Sequence, residues 1–148
     1  ASDVYKRQLP YCSKSSEQPQ LQSEHTQKIK GVLEYIGLHY TENISIESLA
    51  SSCYFSEYHF MRFFKKYVGM SCLDYIKSLR LQKAADLLEQ QALSITDAAM
   101  TAGFSSLSYF YREFKKRYGT TPRQFIHSLP ERQHTNRAST PGSPFSPL

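Results

Sequence analysis

Two arginines occupy the same place in two near-copies of one short motif. Arg62 lies in FSEYHFMRFFKKYVG, residues 55–69, and Arg112 lies in SSLSYFYREFKKRYG, residues 105–119. A planar guanidinium can donate two hydrogen bonds at once, which suits the O6 and N7 acceptors of guanine. Because the arginine recurs at the same distance from the same phenylalanines, the pattern favours a binding surface over ordinary solvated charge.

A second group of cations follows each arginine toward the end of its motif. Cations placed there can contact phosphates, which position a protein on a nucleic acid but carry no sequence information. The predicted phosphate contacts are Ser56, Lys65, Lys66, Ser106, Lys115, Lys116 and Arg117. The chain of 148 residues has a formal net charge of +5 and a pI of about 9.1, which is compatible with an acidic partner.

The phenylalanines of the two motifs are predicted to be core residues. Phe60 and Phe64 in the first motif correspond to Phe110 and Phe114 in the second, and each pair has i, i+4 spacing. Such a pair lies on one face of a helix and can hold that helix against its neighbours. The outward stripe then consists of Tyr58, Met61, Arg62 and Lys65 in the first motif, and of Ser108, Tyr111, Arg112 and Lys115 in the second.

Each motif is preceded by a short helical segment and a tight turn, which is the pattern of a helix-turn-helix unit. The first unit is predicted over about 45–68 and the second over about 94–118. Serines at the starts are N-cap candidates, and glycines at the ends terminate the second helices. These caps are Ser45, Ser56, Ser94 and Ser106, with Gly69 and Gly119 at the ends. In such a unit the second helix enters the major groove of DNA.

The chain is therefore predicted to be all-α, with seven helices forming two helix-turn-helix subdomains joined by a long linker helix. The first helix is expected from about Thr26 to His39, the linker helix over 72–90, and a last short helix from Pro122 to about Ser128, capped by Thr121. The linker helix is expected to bury one apolar face. Its members are Leu73, Ile76, Leu79, Ala84, Leu87 and Leu88.

Both ends of the chain are predicted to lie outside the folded domain, which spans 26–129. Residues 1–25 are expected to be disordered. Their first eight, ASDVYKRQ, match a back-translated transposase adapter used in sequencing libraries, and residues 9–25 resemble a polar linker. The tail over 130–148 contains four prolines and is also expected to be disordered.

Enzymatic, metal-binding and membrane functions have little support in the sequence. No GxSxG, HExxH or glycine-rich phosphate loop is present, so no enzyme and no cofactor is predicted. The histidines are scattered and the cysteines lack CxxC spacing, which argues against a metal site. Without an apolar run of about 18 residues or a signal peptide, no membrane association is expected. Three cysteines, Cys12, Cys53 and Cys72, fit reduced thiols in a cytoplasmic protein.

Residues 28–128 resemble the DNA-binding domain of the AraC/XylS family of bacterial transcription regulators. The resemblance is carried by Arg62, Phe64, Lys65 and Gly69, by Arg80, Leu81, Ala84 and Leu88 in the linker helix, and by Ile95, Ala99, Gly103, Phe104, Phe110, Arg112, Phe114, Lys115, Gly119, Thr121 and Pro122. It implies base contacts in both units. These are expected from Tyr58, Met61, Arg62, Leu107, Ser108, Tyr111 and Arg112.

The resemblance also implies a function and partners. The expected function is that of a sequence-specific regulator, usually an activator, bound to double-stranded DNA. RNA polymerase is the expected second partner, and an effector-binding and dimerisation domain is expected to precede this fragment in the whole protein. The alternative is a basic helical module that binds other proteins and has no sequence-specific affinity for DNA.

Overall fold

The computed structural model describes the backbone of residues 2–130 and the side chains from Gln20 onward. Within that range the chain forms seven α-helices and no β-strand, which confirms the predicted all-α fold. Their bounds are α1 Ser2–His39, α2 Ile46–Ser52, α3 Glu57–Val68, α4 Cys72–Glu89, α5 Ile95–Thr101, α6 Leu107–Tyr118 and α7 Pro122–Ser128. None of these helices combines the length and apolar character needed to cross a bilayer.

Side-chain caps determine where the helices begin. In each of α2 to α7 the residue before the helix accepts a hydrogen bond from a backbone N–H three positions later, which satisfies one of the free N–H groups of the first turn. The predicted caps are confirmed at Ser45, Ser56, Ser94, Ser106 and Thr121. Gly69 and Gly119 end α3 and α6 in the left-handed conformation. Helix α4 is capped by Ser71, which was not among the predicted caps.

Two separate hydrophobic cores share the linker helix α4. The first core gathers α1, α2 and α3 around Phe60 and Phe64, and α4 contributes Cys72 and Ile76 to it. The second gathers α5, α6 and α7 around Phe110 and Phe114, and α4 contributes four residues further along. Those residues are Leu81, Ala84, Ala85 and Leu88. Each helix-turn-helix unit therefore has its own core.

The predicted apolar face of α4 is partly wrong because the helix buries different faces in its two halves. Leu73 was expected to be buried but is 57% exposed, whereas Cys72, Leu81 and Ala85 are buried. Ile76 and Leu81 are five residues apart, which places them about 140° apart around a helix. A search for one continuous stripe cannot find a helix that packs against two cores on nearly opposite sides.

The first helix is longer than the sequence predicts. Its backbone is helical from Ser2, whereas helix was expected from about Thr26 and disorder before it. Once a helix is nucleated, each added residue gains one hydrogen bond, and glutamine, glutamate and lysine extend it readily. Apolar periodicity starts late because burial starts late, at Ile29. The division of 1–25 into adapter and linker stays a prediction, and residues 131–148 of the predicted tail lie outside the described range.

Candidate nucleic-acid interface

The second helices of the two units, α3 and α6, are held in equivalent orientations by their phenylalanines. Phe60, Phe64, Phe110 and Phe114 are each 0% exposed, which confirms their predicted role as core anchors. With these rings buried, the opposite side of each helix must face solvent. That outer side contains both arginines and most of the basic residues, so the two helices present similar surfaces.

On α3, Arg62 lies against the ring of Tyr58 one turn earlier. Its Cζ atom is 5.6 Å from the ring centroid, and its Nη1 atom donates a hydrogen bond to the Tyr58 hydroxyl at 3.3 Å. Both residues are exposed, with Tyr58 73% accessible. Stacking on an aromatic face restricts a guanidinium while leaving most of its donors free. The pair is therefore an oriented hydrogen-bond donor on an open surface.

On α6, Arg112 is oriented by different neighbours. Its Cζ atom is 5.3 Å from the ring centroid of Tyr109, and its Nε atom is 3.8 Å from Oε1 of Glu113. The Arg112 side chain remains 71% exposed, whereas that of Glu113 is only 10% exposed. Arg62 and Arg112 thus each contact a tyrosine, and among the described residues only Arg112 also has an acidic neighbour.

Glu113 itself connects α6 to the linker helix. Its Oε2 atom is 3.1 Å from Nζ of Lys77 in α4, and the same ammonium is 3.3 Å from Asp74. Desolvation lowers the pKa of Lys77, but hydrogen bonds to Glu113 and Asp74 outweigh it and the net pKa is raised. The pKa of Asp74 is lowered by hydrogen bonds from Ser71 and Lys77. Lys77 is therefore held in its charged form between two carboxylates.

The other predicted base contacts divide into exposed and half-buried side chains. Ser108 is exposed and Leu107 is 39% exposed at the start of α6. Met61 and Tyr111 are half-buried at equivalent positions and pack against the first and second core. Only part of each of these two side chains can face a ligand, so contact through them depends on close approach of the whole helix.

The predicted phosphate contacts lie at both ends of α3 and α6. The hydroxyl groups of Ser56 and Ser106 accept hydrogen bonds from the N–H groups of His59 and Tyr109. A serine hydroxyl that accepts one bond can still donate its proton, so capping and phosphate binding are compatible. The basic residues of this set are exposed, and none takes part in the ion pairs found among the described residues. They are Lys65, Lys66, Lys115, Lys116 and Arg117.

A histidine from α1 reaches the surface of α3, which sequence reasoning missed. His25 Nδ1 lies 3.0 Å from the hydroxyl of Tyr67, and the imidazole packs edge-on against Phe63. A groove of about 550 Å³ opens beside it and includes Tyr58, Arg62 and Lys66 in its lining. His25 was hard to identify from the sequence because it lies before the apolar periodicity of α1 begins.

The two described cysteines are buried, and the surroundings of Cys72 disfavour its thiolate form. Cys53 and Cys72 are free thiols, and burial raises the pKa of Cys72 to about 11. A thiol with a raised pKa is a poor nucleophile because the thiolate is the reactive form. Among the described residues, no three His, Cys, Asp or Glu side chains converge in a way that could hold a metal ion.

The comparisons with known proteins match this geometry. Residues 49–128 match the family model described as "Helix-turn-helix domain". The chain is 34% identical over 110 residues to the regulatory protein PocR of Salmonella typhimurium, a match covering 74% of this chain but only 36% of PocR. The chain thus spans little more than a third of that relative.

Two solved structures have the same fold. An AraC-type transcriptional regulator from Chromobacterium violaceum superimposes with a TM-score of 0.62 at 27% identity, covering 69% of this chain and 91% of that one. The DNA-binding domain of the transcription factor AdpA, solved with a target DNA, gives a TM-score of 0.63 at 25% identity, covering 77% and 96%. With the family model covering both helix-turn-helix units, the chain belongs to the AraC/XylS family of DNA-binding transcription regulators.

Proposed function

We propose that this chain binds double-stranded DNA in a sequence-specific manner by placing α3 and α6 in two successive major grooves. The single observation that carries the proposal is that the two equivalent arginines each contact a tyrosine on the exposed side of their helix. Arg62 contacts Tyr58, four residues earlier, and Arg112 contacts Tyr109, three residues earlier. An arginine held in this way presents its donors to guanine O6 and N7 with less loss of side-chain entropy.

The surrounding charge supports the same proposal. Between residues 44 and 127 there are eleven Lys and Arg against seven Asp and Glu, a net of +4. The cations at the ends of α3 and α6 would contact phosphates on either side of each groove. A helix of 18 residues such as α4 is about 27 Å long, which is close to the ~34 Å repeat of B-DNA.

The regulatory role follows from the family. We propose that the DNA-bound protein activates transcription by contacting RNA polymerase, and that it acts by binding rather than by catalysis. A bacterial regulator bound to chromosomal DNA acts in the cytoplasm. We also propose that a preceding effector-binding and dimerisation domain controls it, since PocR, of which the chain spans 36%, is much longer.

A fluorescence anisotropy titration on two duplexes tests the DNA-binding proposal. One duplex carries the site selected by the protein from a random library, and the other is a shuffled duplex of equal length. We expect the selected duplex to bind at least about 1,000-fold more tightly at physiological salt. Affinity for both duplexes should fall steeply as KCl rises, because bound phosphates release counterions.

The competing function, a basic protein-interaction module, predicts a different result. Such a module would bind both duplexes with equal and weak affinity through charge alone. The matched pair Arg112→Ala and Arg123→Ala sharpens the comparison, since Arg123 is an exposed arginine on α7 outside the proposed contact set. Only Arg112→Ala should reduce the preference for the selected duplex.

A further inference from the structure

The two helix-turn-helix units are connected by more than the backbone of α4. Their hydrophobic cores are separate, with Ile76 in the first and Leu81 in the second, and these residues face nearly opposite sides of α4. A helix alone would resist bending but would leave each unit free to shift around its own attachment. Another contact must therefore contribute to their relative orientation.

Arg80 lies between the two cores and clamps the loop that follows α1. Its Nε atom donates to the carbonyl oxygen of Tyr40 at 2.5 Å, and its Nη2 atom donates to that of Glu42 at 2.7 Å. Two carbonyls 38 and 40 residues away in sequence are thus held by one guanidinium. Its pKa is lowered by desolvation, in keeping with the partly buried position of the guanidinium.

The clamped loop touches the turn of the second unit at Gly103. This glycine has φ of +105°, and a Cβ atom there would lie 2.7 Å from the Thr41 carbonyl oxygen and 3.0 Å from Arg80 Nε. Carbon atoms do not approach a backbone oxygen so closely, so the contact needs the absence of a side chain. The equivalent position in the first unit, which follows the C-cap of α2, is Tyr54 with φ of +60° and 91% exposure. The two turns therefore differ, and only the second is packed against the other unit.

We infer that Arg80, the loop over residues 40–42 and Gly103 form a brace that sets the relative orientation of α3 and α6, and hence the spacing between the two DNA boxes that the protein accepts. This inference rests on the proposed function, because spacing matters only if both helices read DNA. Arg80 acts here as a positioning residue and is not expected to touch DNA. Arg80 also lines a crevice of about 270 Å³ together with Asn43, Phe104 and Tyr109, so the boundary between the two units is not fully packed at this point.

DNA duplexes with altered spacing test the brace. One added or removed base pair rotates the second box by about 35° and moves it by about 3.4 Å. We expect the unaltered protein to lose about tenfold or more in affinity when the spacing changes by one base pair, because α3 and α6 can no longer bind their two boxes at the same time. Arg80→Met and Gly103→Ala should reduce that penalty to less than about threefold, while affinity for a duplex with a single box stays unchanged.

Matched variants separate positioning from general destabilisation. Gly119→Ala introduces the same left-handed strain at φ of +77° but meets nothing within 4 Å, so it should keep the normal spacing penalty. Lys83→Met removes a cation from α4 that forms none of the ion pairs found among the described residues, and it should also behave normally. If Gly103→Ala does not fold by circular dichroism, Arg80→Lys replaces it, since lysine cannot span two carbonyls with one planar group.

A measurement without DNA keeps this inference distinct from the proposed function. Spin labels at Ser51→Cys in α2 and Met100→Cys in α5, both exposed positions, report the distance between the units in the 148-residue chain carrying Cys12→Ser. We expect a narrow distance distribution that broadens or shifts in Arg80→Met and not in Lys83→Met. If Arg80→Met leaves both the distribution and the spacing penalty unchanged, the brace does not set the orientation. If the unaltered protein shows no preference between duplexes, the proposed function fails. The spin-label distances alone then decide whether the brace sets the orientation of the two units.

Discussion

Arg62 and Arg112, the two arginines that we propose contact bases, are similar in position but differ in their surroundings. Arg62 contacts Tyr58, whereas Arg112 contacts both Tyr109 and the buried carboxylate of Glu113. An acidic neighbour at 3.8 Å attracts the guanidinium and restricts it, at a distance too long for a hydrogen bond. We therefore expect Arg112 to be the more rigid and the more selective of the two, and Arg62 to tolerate more variation in its target base.

Alanine substitutions should distinguish the residues that determine base preference from the residues that contribute affinity for any DNA sequence. Arg62→Ala or Arg112→Ala should weaken binding by about 1–3 kcal/mol and relax the preference at one base position. Lys65→Ala or Lys115→Ala should weaken all duplexes about equally and reduce the salt slope by about one unit. Binding titrations on single-base variants of the site measure both effects. An unchanged base preference in Arg112→Ala would exclude that residue from base recognition.

Cys72 should make stability depend on pH in the alkaline range. Its pKa is about 11 in the folded protein and 9.0 in an exposed thiol, so the folded state keeps a proton that the unfolded state releases. The resulting stabilisation is complete below pH 9 and is lost as pH rises through about 11, amounting to about 2–3 kcal/mol. Urea unfolding of the protein and of Cys72→Ala between pH 8 and 10.5 tests this. The free energy of unfolding should fall less steeply with rising pH in Cys72→Ala than in the unaltered protein. An equal pH dependence would contradict the raised pKa of Cys72.

At the scale of the helix, the serine caps of α3 and α6 are predicted to bind phosphate as well, and substitution can separate this role from capping. Aspartate is as good an N-cap as serine, so Ser56→Asp should preserve the helix. It also places a negative charge where we predict a phosphate, and DNA affinity should fall about tenfold or more through repulsion and a lost hydrogen bond. Ser45→Asp, at the equivalent cap of α2, is the control and should bind normally. Equal affinity of the two variants would place Ser56 away from DNA.

The attachment of α6 to α4 through Glu113 should contribute to stability. Glu113→Gln keeps the shape of the side chain, and within the described part of the chain it leaves Lys77 with only the exposed Asp74 as an ionic partner. We expect a loss of about 1–3 kcal/mol in the free energy of unfolding, since one partner of a largely buried pair is removed. Urea denaturation measures it. The double variant Lys77→Met with Glu113→Leu should recover much of the loss, and a further decrease instead would contradict the buried-pair explanation.

Local signals in the sequence predicted the elements well, and contacts between elements were the part that could not be predicted. Cap serines, terminal glycines and paired phenylalanines act within one turn of their own helix, so Ser56, Gly69 and Phe60 could be placed directly. Glu113 was unpredictable because its repeat equivalent, Phe63, is apolar, and its burial depends on Lys77 from another helix. The contacts of Arg80 with the loop join residues about forty positions apart, so they produce no periodic pattern in the sequence.

At the scale of the whole molecule, one helix shared by two cores explains how a single chain can present two recognition surfaces. Helix α4 contributes Cys72 and Ile76 to the core of one unit. It contributes four residues to the core of the other, namely Leu81, Ala84, Ala85 and Leu88, so both units pack against the same helix. A symmetric dimer would place identical helices on a palindrome, whereas α3 and α6 differ in sequence. The expected target is therefore bipartite and non-palindromic.

Selection of binding sites from a random duplex library by the purified chain tests this expectation most directly. The outcome we predict is two different short boxes centred about 10 base pairs apart, each enriched for guanine at one position. In the same selection, Arg62→Ala and Arg112→Ala should each degrade one box and leave the other intact. A perfect palindrome, a single box, or no enrichment above the starting library would contradict a chain that places two different recognition helices in successive major grooves.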